Sequence, residues 1–402
     1  MTRTIATPSK RALEILEIPA AVVRSRGLLT GYFAGLGVVM AIWGTRIPAV
    51  QESVGLDTAG LAAVLLAAAV GMVAGLHLGG RLAGPHRLAA LLTGGGVGLA
   101  GSLAVLGICR TPIELAVAAL LFGAAHGVLD VAANASAVRC QQLYGRPIMS
   151  GFHAAYSLGA LGGAVIAAAA AHHSPVYVFG VTAAAAIVAT VAVAPITRGV
   201  AAMAGPEPAV PATRDRAPGL SRSQICLLGL LAAACLLGEG AAADWSAVHL
   251  TGLHASPAIS AAAYAGYSAA MAGGRLFGDR LIARFGAPRV VRTGAIAASA
   301  GLLAGLSVPE ASFALTGWAV FGLGLAVTIP SLFTAAGAGG PRAVAAVAVT
   351  GYLGLLAGPA LIGALATVTT LPVALALPAL LAAGVAALSR RALSDRALEN
   401  QW

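Results

Sequence analysis

His126, Asp130 and Asn134 follow one another at intervals of four residues inside a long apolar segment. Because an α-helix turns once every 3.6 residues, this spacing places the three side chains on one helix face. A charged side chain in such a segment is costly, and it normally faces the interior of a helix bundle. A carboxylate in a low-dielectric site prefers its neutral form. We therefore predict that Asp130 couples function to protons. The alternative is a buried hydrogen bond between helices.

Glu239 is a second carboxylate near the middle of another apolar segment, and we predict the same proton-coupling role for it. Amides and carboxylates can bind the hydroxyl groups of a solute, and an aromatic ring can stack on its apolar face. On these grounds the predicted solute-binding residues are His126, Asn134, His153, Tyr156, Tyr267 and Trp43. For His126 and His153 simple packing is the competing interpretation. Arg46 and Asp244 are expected to form an extracellular ion pair.

These residues belong to a chain that is too apolar for a water-soluble protein. Of its 402 residues, 59% are hydrophobic and only 9% are charged, and the mean hydropathy is +0.89. A soluble protein carries about a quarter charged residues, so the composition indicates a membrane protein. The net charge of +10 lies in short gaps between apolar runs, which argues against a nucleic-acid partner.

Twelve apolar segments are long enough to cross a bilayer, at about 20 residues each. They are 28–50, 58–81, 88–108, 112–137, 149–171, 175–195, 224–248, 258–279, 290–308, 311–335, 342–366 and 370–389. The proline- and charge-rich stretch 196–223 separates six helices from six. We therefore predict an N-terminal segment 1–27, a half 28–195, a linker 196–223, a half 224–389 and a tail 390–402.

Basic residues predict the orientation of these helices. With both termini in the cytoplasm, every Lys and Arg except Arg46 and Arg110 lies on the cytoplasmic side. This is the positive-inside distribution. The first apolar run has no convincing cleavage site, so we expect it to remain as a helix.

Corresponding helices of the two halves share short patterns. Gly80-Arg81-Leu82 matches Gly274-Arg275-Leu276, and Leu158-Gly159 with Gly163 matches Leu353-Gly354 with Gly358, at nearly constant spacing. Six helices per half give both repeats the same orientation. The predicted fold is thus an all-α membrane protein with twelve transmembrane helices in two parallel-repeat halves, the major facilitator fold.

The loop after the eighth predicted helix resembles the major facilitator loop signature. Its residues are Gly274, Arg275, Asp279, Arg280, Arg284 and Gly286. Asp279 lies near a helix end, where it can pair with an arginine or with a neighbouring helix N-terminus. The functional interpretation is a latch for a cytoplasmic gate, and the alternative is charge that only sets topology. The equivalent loop at 79–87 lacks the acid.

Other patterns argue against enzymes and cofactors. The four cysteines form no metal-ligand cluster, so no metal site is expected. Lys10 is the only lysine and has no Walker A context, which excludes ATP-driven pumping by this chain. The glycine pattern at 96–101 lies in an apolar helix without a preceding strand, so no nucleotide cofactor is expected. We predict that the protein is not an enzyme and has no cofactor.

Four stretches resemble the YbjJ-type permeases, bacterial major facilitator proteins grouped near the fucose permeases. They are Arg46-Ile47-Pro48, 129–134, 146–153 and 238–246. The resemblance implies the twelve-helix fold, alternating access and proton coupling, and its fucose-permease neighbourhood implies sugar transport. In those proteins an acid on the fourth helix takes part in coupling, and Asp130 is the acid of that helix here.

The predicted function is secondary active transport of a small polar, sugar-like solute, coupled to protons, in the bacterial inner membrane. The expected partners are the solute, protons and lipid, and the protein is expected to work as a monomer. Efflux of amphipathic or cationic compounds is the first alternative, with Glu239 and Asp130 attracting the cation. A membrane sensor or assembly partner that does not transport is the weaker one.

Overall fold

A computed structural model describes residues 19–84, 86–202 and 220–393. Within these residues the chain is almost entirely α-helical and contains no β-strand. The helices are α1 Ala20–Val54, α2 Thr58–Leu82, α3 Leu88–Ile108, α4 Pro112–Tyr144, α5 Met149–Ala169, α6 Pro175–Ala202, α7 Arg222–Gly252, α8 Pro257–Phe285, α9 Ala287–Ser307, α10 Ala311–Leu325, α11 Thr328–Ala336, α12 Gly340–Val368, α13 Leu371–Ala374 and α14 Ala376–Leu393.

These helices form the twelve expected membrane crossings. Ten stretches of the described chain are long and apolar enough to span a bilayer. One of them, 311–368, contains two crossings: α10 continued by α11, and α12. The crossing that lies outside these ten stretches is α8. It is rich in Gly, Ser and Tyr and ends in charged residues, so it is less apolar than the other crossings. The last crossing is α13 continued by α14.

Several helices extend beyond their predicted bounds. Helix α1 begins at Ala20, inside the predicted N-terminal segment 1–27. Helix α6 continues to Ala202 and α7 begins at Arg222, so helix enters both ends of the predicted linker 196–223. The remainder of that linker, 203–219, lies outside the described residues, as do 1–18 and 394–402.

The two halves repeat one packing scheme. In the first half α1 packs on α5, α2 on α4, and α3 on α6. In the second half α7 packs on α12, α8 on α10, and α9 on α14. Equivalent helices therefore make equivalent partnerships, as the matched sequence patterns predict.

Matched glycines let backbones approach in both halves. A Cβ on Gly159 of α5 would lie 2.0 Å from the carbonyl oxygen of Ala34 on α1. A Cβ on Gly354 of α12 would lie 2.3 Å from the carbonyl oxygen of Ala233 on α7. Contacts this short leave no room for a side chain, so these small residues set the distance between the helices.

The short loops alternate between two ends of the bundle. The end that includes Arg24, Arg81, Arg146, Arg280 and Arg390 is called the basic end here, and the opposite end, with Arg46 and Arg110, the far end. The ends of α4, α8, α11 and α14 meet the starts of α5 and α9 around one cavity at the basic end. Six helices thus place their termini at this common surface.

The halves contact each other at the basic end. Helix α8 meets α5, and α12 meets α2 and α4. A Cβ on Gly80 of α2 would lie 2.4 Å from the Cβ of Ala345 on α12, so these two helices touch almost directly. Hydrogen bonds between the described residues of the two halves involve these same helices and α11. This conformation is therefore closed at the basic end.

Candidate functional site

Asp130 is buried on α4, where it contacts the opposite half. Its Oδ1 accepts a hydrogen bond from Tyr352 Oη on α12, at 3.3 Å, and another from Asn134 Nδ2 at 3.2 Å. The side chain is 6% exposed, and Oδ2 has no hydrogen-bond partner among the described residues. The His126 ring stands edge-on to the Tyr352 ring, with centroids 6.3 Å apart. Of the three residues on the predicted face, Asp130 and His126 thus contact the other half, and Asn134 bonds to Asp130 within α4.

His153 also lies between the halves. Its ring centroid is 5.4 Å from that of Phe33 on α1 and 6.0 Å from that of Phe333 on α11. Its Nε2 is buried without a hydrogen-bond partner in the described chain. An imidazole held between two aromatic rings of different halves contacts groups that must separate if the basic end opens.

Glu239 on α7 is partly exposed and accepts no hydrogen bond from any described residue. It interacts electrostatically with Tyr156 on α5 and with Tyr264 and Tyr267 on α8. Tyr264 is 42% exposed and stacks on Tyr267 with centroids 6.1 Å apart. The carboxylate is therefore partly exposed and within electrostatic range of phenol groups from both halves.

Arg275 lies deeper in the protein than the loop signature suggests. It is 6% exposed on α8, where Nη1 donates to Ser157 Oγ on α5 at 2.7 Å and Nε donates to the carbonyl oxygen of Ala326 at 3.4 Å. The same guanidinium interacts electrostatically with Tyr156. Because α5 and α8 belong to different halves, the bond to Ser157 joins the halves inside the bundle.

Asp279, one helical turn further along α8, caps a helix of the opposite half. Its Oδ1 accepts a hydrogen bond from the backbone N–H of Ser150 at 2.9 Å, and its Oδ2 accepts one from Gly151 at 2.8 Å. The first turn of a helix has unpaired N–H groups and a positive dipole end, so a carboxylate there is stabilising. The sequence predicted either an arginine or a neighbouring helix N-terminus as the partner of Asp279. The structure shows the helix N-terminus.

Gln141 completes the cap from within the first half. Its Oε1 accepts the N–H groups of Ile148 at 2.9 Å and Met149 at 3.0 Å. Its Nε2 donates to Thr334 Oγ1 on α11 at 3.2 Å. Four consecutive backbone donors at the start of α5 are thus satisfied by two side chains, one from each half.

The rest of the loop signature lies at or near the end of α8. Arg280 and Arg284 are exposed there, and the Arg284 guanidinium lies over the Phe285 ring at 5.3 Å. Gly286 has a φ of 80°, which favours glycine, and it joins α8 directly to α9. Gly274 packs within the second half, where a Cβ would lie 2.6 Å from the Cβ of Ala326.

Two predicted solute contacts lie in packed interiors. Tyr267 is 1% exposed and packs against Phe321 on α10, and the neighbouring Tyr264 takes the exposed position instead. Trp43 is 6% exposed, and its indole packs on Phe122 and Phe179 within the first half. In this conformation both rings fill space between helices, so neither is available to a solute.

The expected ion pair between Arg46 and Asp244 is wrong. Arg46 Nη1 donates to the carbonyl oxygen of Ala171 at 3.1 Å, and Nη2 donates to that of His173. The guanidinium thus ties the end of α1 to the loop between α5 and α6 in its own half. Asp244 is exposed on α7.

Two residues of this site, Tyr352 and Gln141, were not predicted. Ser157 and Tyr264 stand out in the sequence as polar residues inside apolar segments, but they were not among the predicted solute-binding residues. Only the packing of one half on the other selects them. The described residues contain no group of three His, Cys, Asp or Glu side chains that could hold a metal ion.

Relatives of known class share this architecture. The chain is 34% identical over 371 residues to an uncharacterized MFS-type transporter of Yersinia pestis, covering 90% of this chain and 94% of the relative. It is 34% identical over 382 residues to an uncharacterized transporter of Sinorhizobium fredii, covering 90% and 97%. No family model matches the chain.

Solved structures agree with this class. The transporter FucP in its outward conformation has a TM-score of 0.76 at 17% identity, covering 92% of this chain and 99% of that one. The proton:xylose symporter XylE has a TM-score of 0.68 at 13% identity, covering 93% and 96%. The fold and the relatives define a multi-pass membrane transporter. The chain belongs to the major facilitator superfamily.

Proposed function

We propose that this protein moves a small polar, sugar-like solute across the bacterial inner membrane by alternating access, coupled to protons. The observation that carries the proposal is the bond between Tyr352 and Asp130, which joins the two halves at a buried carboxylate. Alternating access requires the halves to separate at this point. A change in the protonation of Asp130 would then change the contact between them.

The orientation follows from charge. If the arginine-rich basic end lies in the cytoplasm, the closed conformation described here faces outward. Reporter fusions at the C-terminus and within 196–223 test this orientation. Cytoplasmic signals are expected at both places, and a periplasmic signal at either one would overturn it.

Glu239 is the second proposed proton carrier. It is partly exposed and within electrostatic range of Tyr156 and Tyr264, which supports a solute bound between the halves contacting both the acid and the phenol rings. Hydroxyl groups and the apolar face of a sugar ring suit such a lining. FucP is described as a fucose:proton symporter and XylE as a proton:xylose symporter, which makes sugars the first solutes to examine.

Purified protein in sealed vesicles tests the coupling. Asp130→Asn and Glu239→Gln are nearly isosteric with the neutral acids, so both variants are expected to fold. Uphill uptake driven by a pH gradient is expected to be lost, more severely for Glu239→Gln, while counterflow exchange persists. Glu310→Gln, which changes an exposed acid at the far end, serves as the control.

One result would overturn the proposed proton coupling, and another would overturn the proposed class of solute. If both variants still accumulate solute like the wild type, neither acid carries the proton. If wild-type protein moves none of a panel of pentoses, hexoses and deoxyhexoses, the sugar-like class is wrong.

Efflux of cationic amphipathic compounds is the second candidate. The observation that favours it is the partly exposed carboxylate of Glu239 within electrostatic range of phenol rings, since an ammonium group is attracted to both. Proton-driven efflux of a fluorescent organic cation, reduced by Glu239→Gln, would support it. Absence of flux with sugars and cations alike would favour a membrane sensor or assembly partner that does not transport.

A further inference from the structure

A cavity of about 740 Å³ lies at the basic end, between the two halves. Residues of α4, α5 and their loop form one wall, including Gln141 and Arg146. The ends of α8, α11 and α14 and the start of α9 form the other walls. The Asp279 cap on α5 is part of its lining. We refer to it below as the basic-end cavity.

The lining of the basic-end cavity is positively charged. It includes three arginines, Arg146, Arg289 and Arg390, and one carboxylate, Asp279. Both oxygens of Asp279 already accept backbone N–H groups of α5. The carboxylate is thus directed at a helix end, and the exposed guanidinium groups of Arg146 and Arg289 are the charges on which the proposal below rests.

Two features suit this space to an anion. The Arg146 guanidinium is held in place by Tyr144, lying 5.0 Å from its ring centroid and donating to its hydroxyl at 3.3 Å. Helix α9 also begins in the lining, and no described side chain caps its first turn, so its positive dipole end adds to the field. Guanidinium groups bind phosphate through paired, charge-assisted hydrogen bonds.

We propose that the basic-end cavity binds a phosphate-bearing anion and that this ligand restrains transport. The volume matches that of a small-molecule site. Because both halves supply its walls, the cavity is complete only while the basic end is closed, and a ligand bound there stabilises that state. Under the proposed function the closed end is cytoplasmic, so the anion slows the opening that delivers or collects solute inside the cell.

Phosphate can come from a soluble molecule or from a lipid headgroup, and two arms separate these sources. In the first arm, full-length protein in an uncharged maltoside detergent is titrated calorimetrically with inorganic pyrophosphate, with chloride at matched ionic strength as the blank. In the second arm, protein in phosphatidylcholine nanodiscs is compared with protein in discs that also contain phosphatidylglycerol, and the midpoint of thermal unfolding is measured.

The test variant is Arg146→Gln combined with Arg289→Gln. Arg342→Gln is the matched control, since Arg342 is exposed at the same end but lines a different, small pocket. Loss of a hydrogen bond to a charged group weakens binding by roughly tenfold or more. We expect pyrophosphate to bind wild type and control alike, and the double variant at least tenfold more weakly.

A phosphatidylglycerol effect that depends on the same arginines, without pyrophosphate binding, would assign the site to a headgroup and also support the proposal. No arginine-dependent effect in either arm overturns it. Spin labels on Gln142 and Arg284, at the two sides of the basic end, then report its closure. Binding that leaves their distance distribution unchanged rules out the restraint. None of these measurements requires transport, so absence of flux would count against the proposed function alone.

Discussion

Asp279 and Ser150 lie in different halves of the protein, and the carboxylate of Asp279 accepts the backbone N–H of Ser150 at 2.9 Å. The cap of helix α5 is therefore a contact that must break when the basic end opens. An ordinary cap lies within one folding unit and only stabilises its helix. This one also links the stability of a helix end to the conformation of the transporter.

Asp279→Asn is expected to favour opening of the basic end. An amide oxygen can still accept one N–H, but the amide nitrogen would face the N–H of Gly151 and the negative charge is lost. Loss of a charge-assisted hydrogen bond shifts the equilibrium roughly tenfold toward the open state. Spin-label distances between Gln142 and Arg284, with the exposed Cys226 replaced, measure this shift.

Asp57→Asn is the control for that experiment, because Asp57 caps α2 at the far end, through Gly60, within one half. It should leave the distances unchanged. If Asp279→Asn also leaves them unchanged, the cap is not a latch and the loop charges only set topology.

Ser157→Ala should weaken the closed state from inside the bundle. It removes the hydroxyl that accepts from Arg275 at 2.7 Å and leaves a buried guanidinium with one partner fewer. We expect a several-fold shift of the Gln142–Arg284 spin-label distances toward the open state, and Ser157→Thr should restore closure because it keeps the hydroxyl. Ser102→Ala is the matched control, since Ser102 Oγ bonds only within its own helix. Equal distance distributions for Ser157→Ala and wild type would show that this bond does not hold the halves together.

Asp130 and Tyr352 should show coupled effects on stability. Asp130→Asn and Tyr352→Phe each disturb the same hydrogen bond. The free energy of unfolding of the double variant should therefore fall by less than the sum of the two single decreases, with a coupling energy of about 0.5–3 kcal/mol. Chemical unfolding in one detergent measures the free energy of unfolding of the wild type and of the three variants. Asp130→Asn with Tyr264→Phe provides the comparison, because the side-chain hydrogen bonds of Asp130 go to Tyr352 and Asn134 and not to Tyr264, so the effects of that pair should add. Additive effects for the first pair would mean that the 3.3 Å contact contributes nothing.

Much of the fold could be predicted from the sequence, but few of the contacts between the two halves could. Apolar length predicts the crossings, and the matched glycines predict which faces pack, because both depend on local sequence. The spacing of His126, Asp130 and Asn134 likewise predicts their common face. The partners of Tyr352 and Ser157 could not be predicted, because they depend on which residue of the other half lies opposite. The predicted ion pair of Arg46 failed for the same reason: two carbonyl oxygens of its own half lie nearer.

Gly159 and Gly162 lie on the same helix and should respond oppositely to alanine. A Cβ on Gly159 would lie 2.0 Å from the carbonyl oxygen of Ala34, so α1 and α5 must move apart to admit it. A Cβ on Gly162 meets nothing within 4 Å, and there alanine gains up to about 1 kcal/mol of helix propensity. We expect Gly159→Ala to lower the midpoint of thermal unfolding by several degrees and Gly162→Ala to leave it unchanged or raise it slightly. The matched Gly354→Ala, against Ala233, should behave like Gly159→Ala. If Gly159→Ala and Gly354→Ala are tolerated as well as Gly162→Ala, close backbone approach does not fix the two helix pairs, and larger side chains must set their spacing.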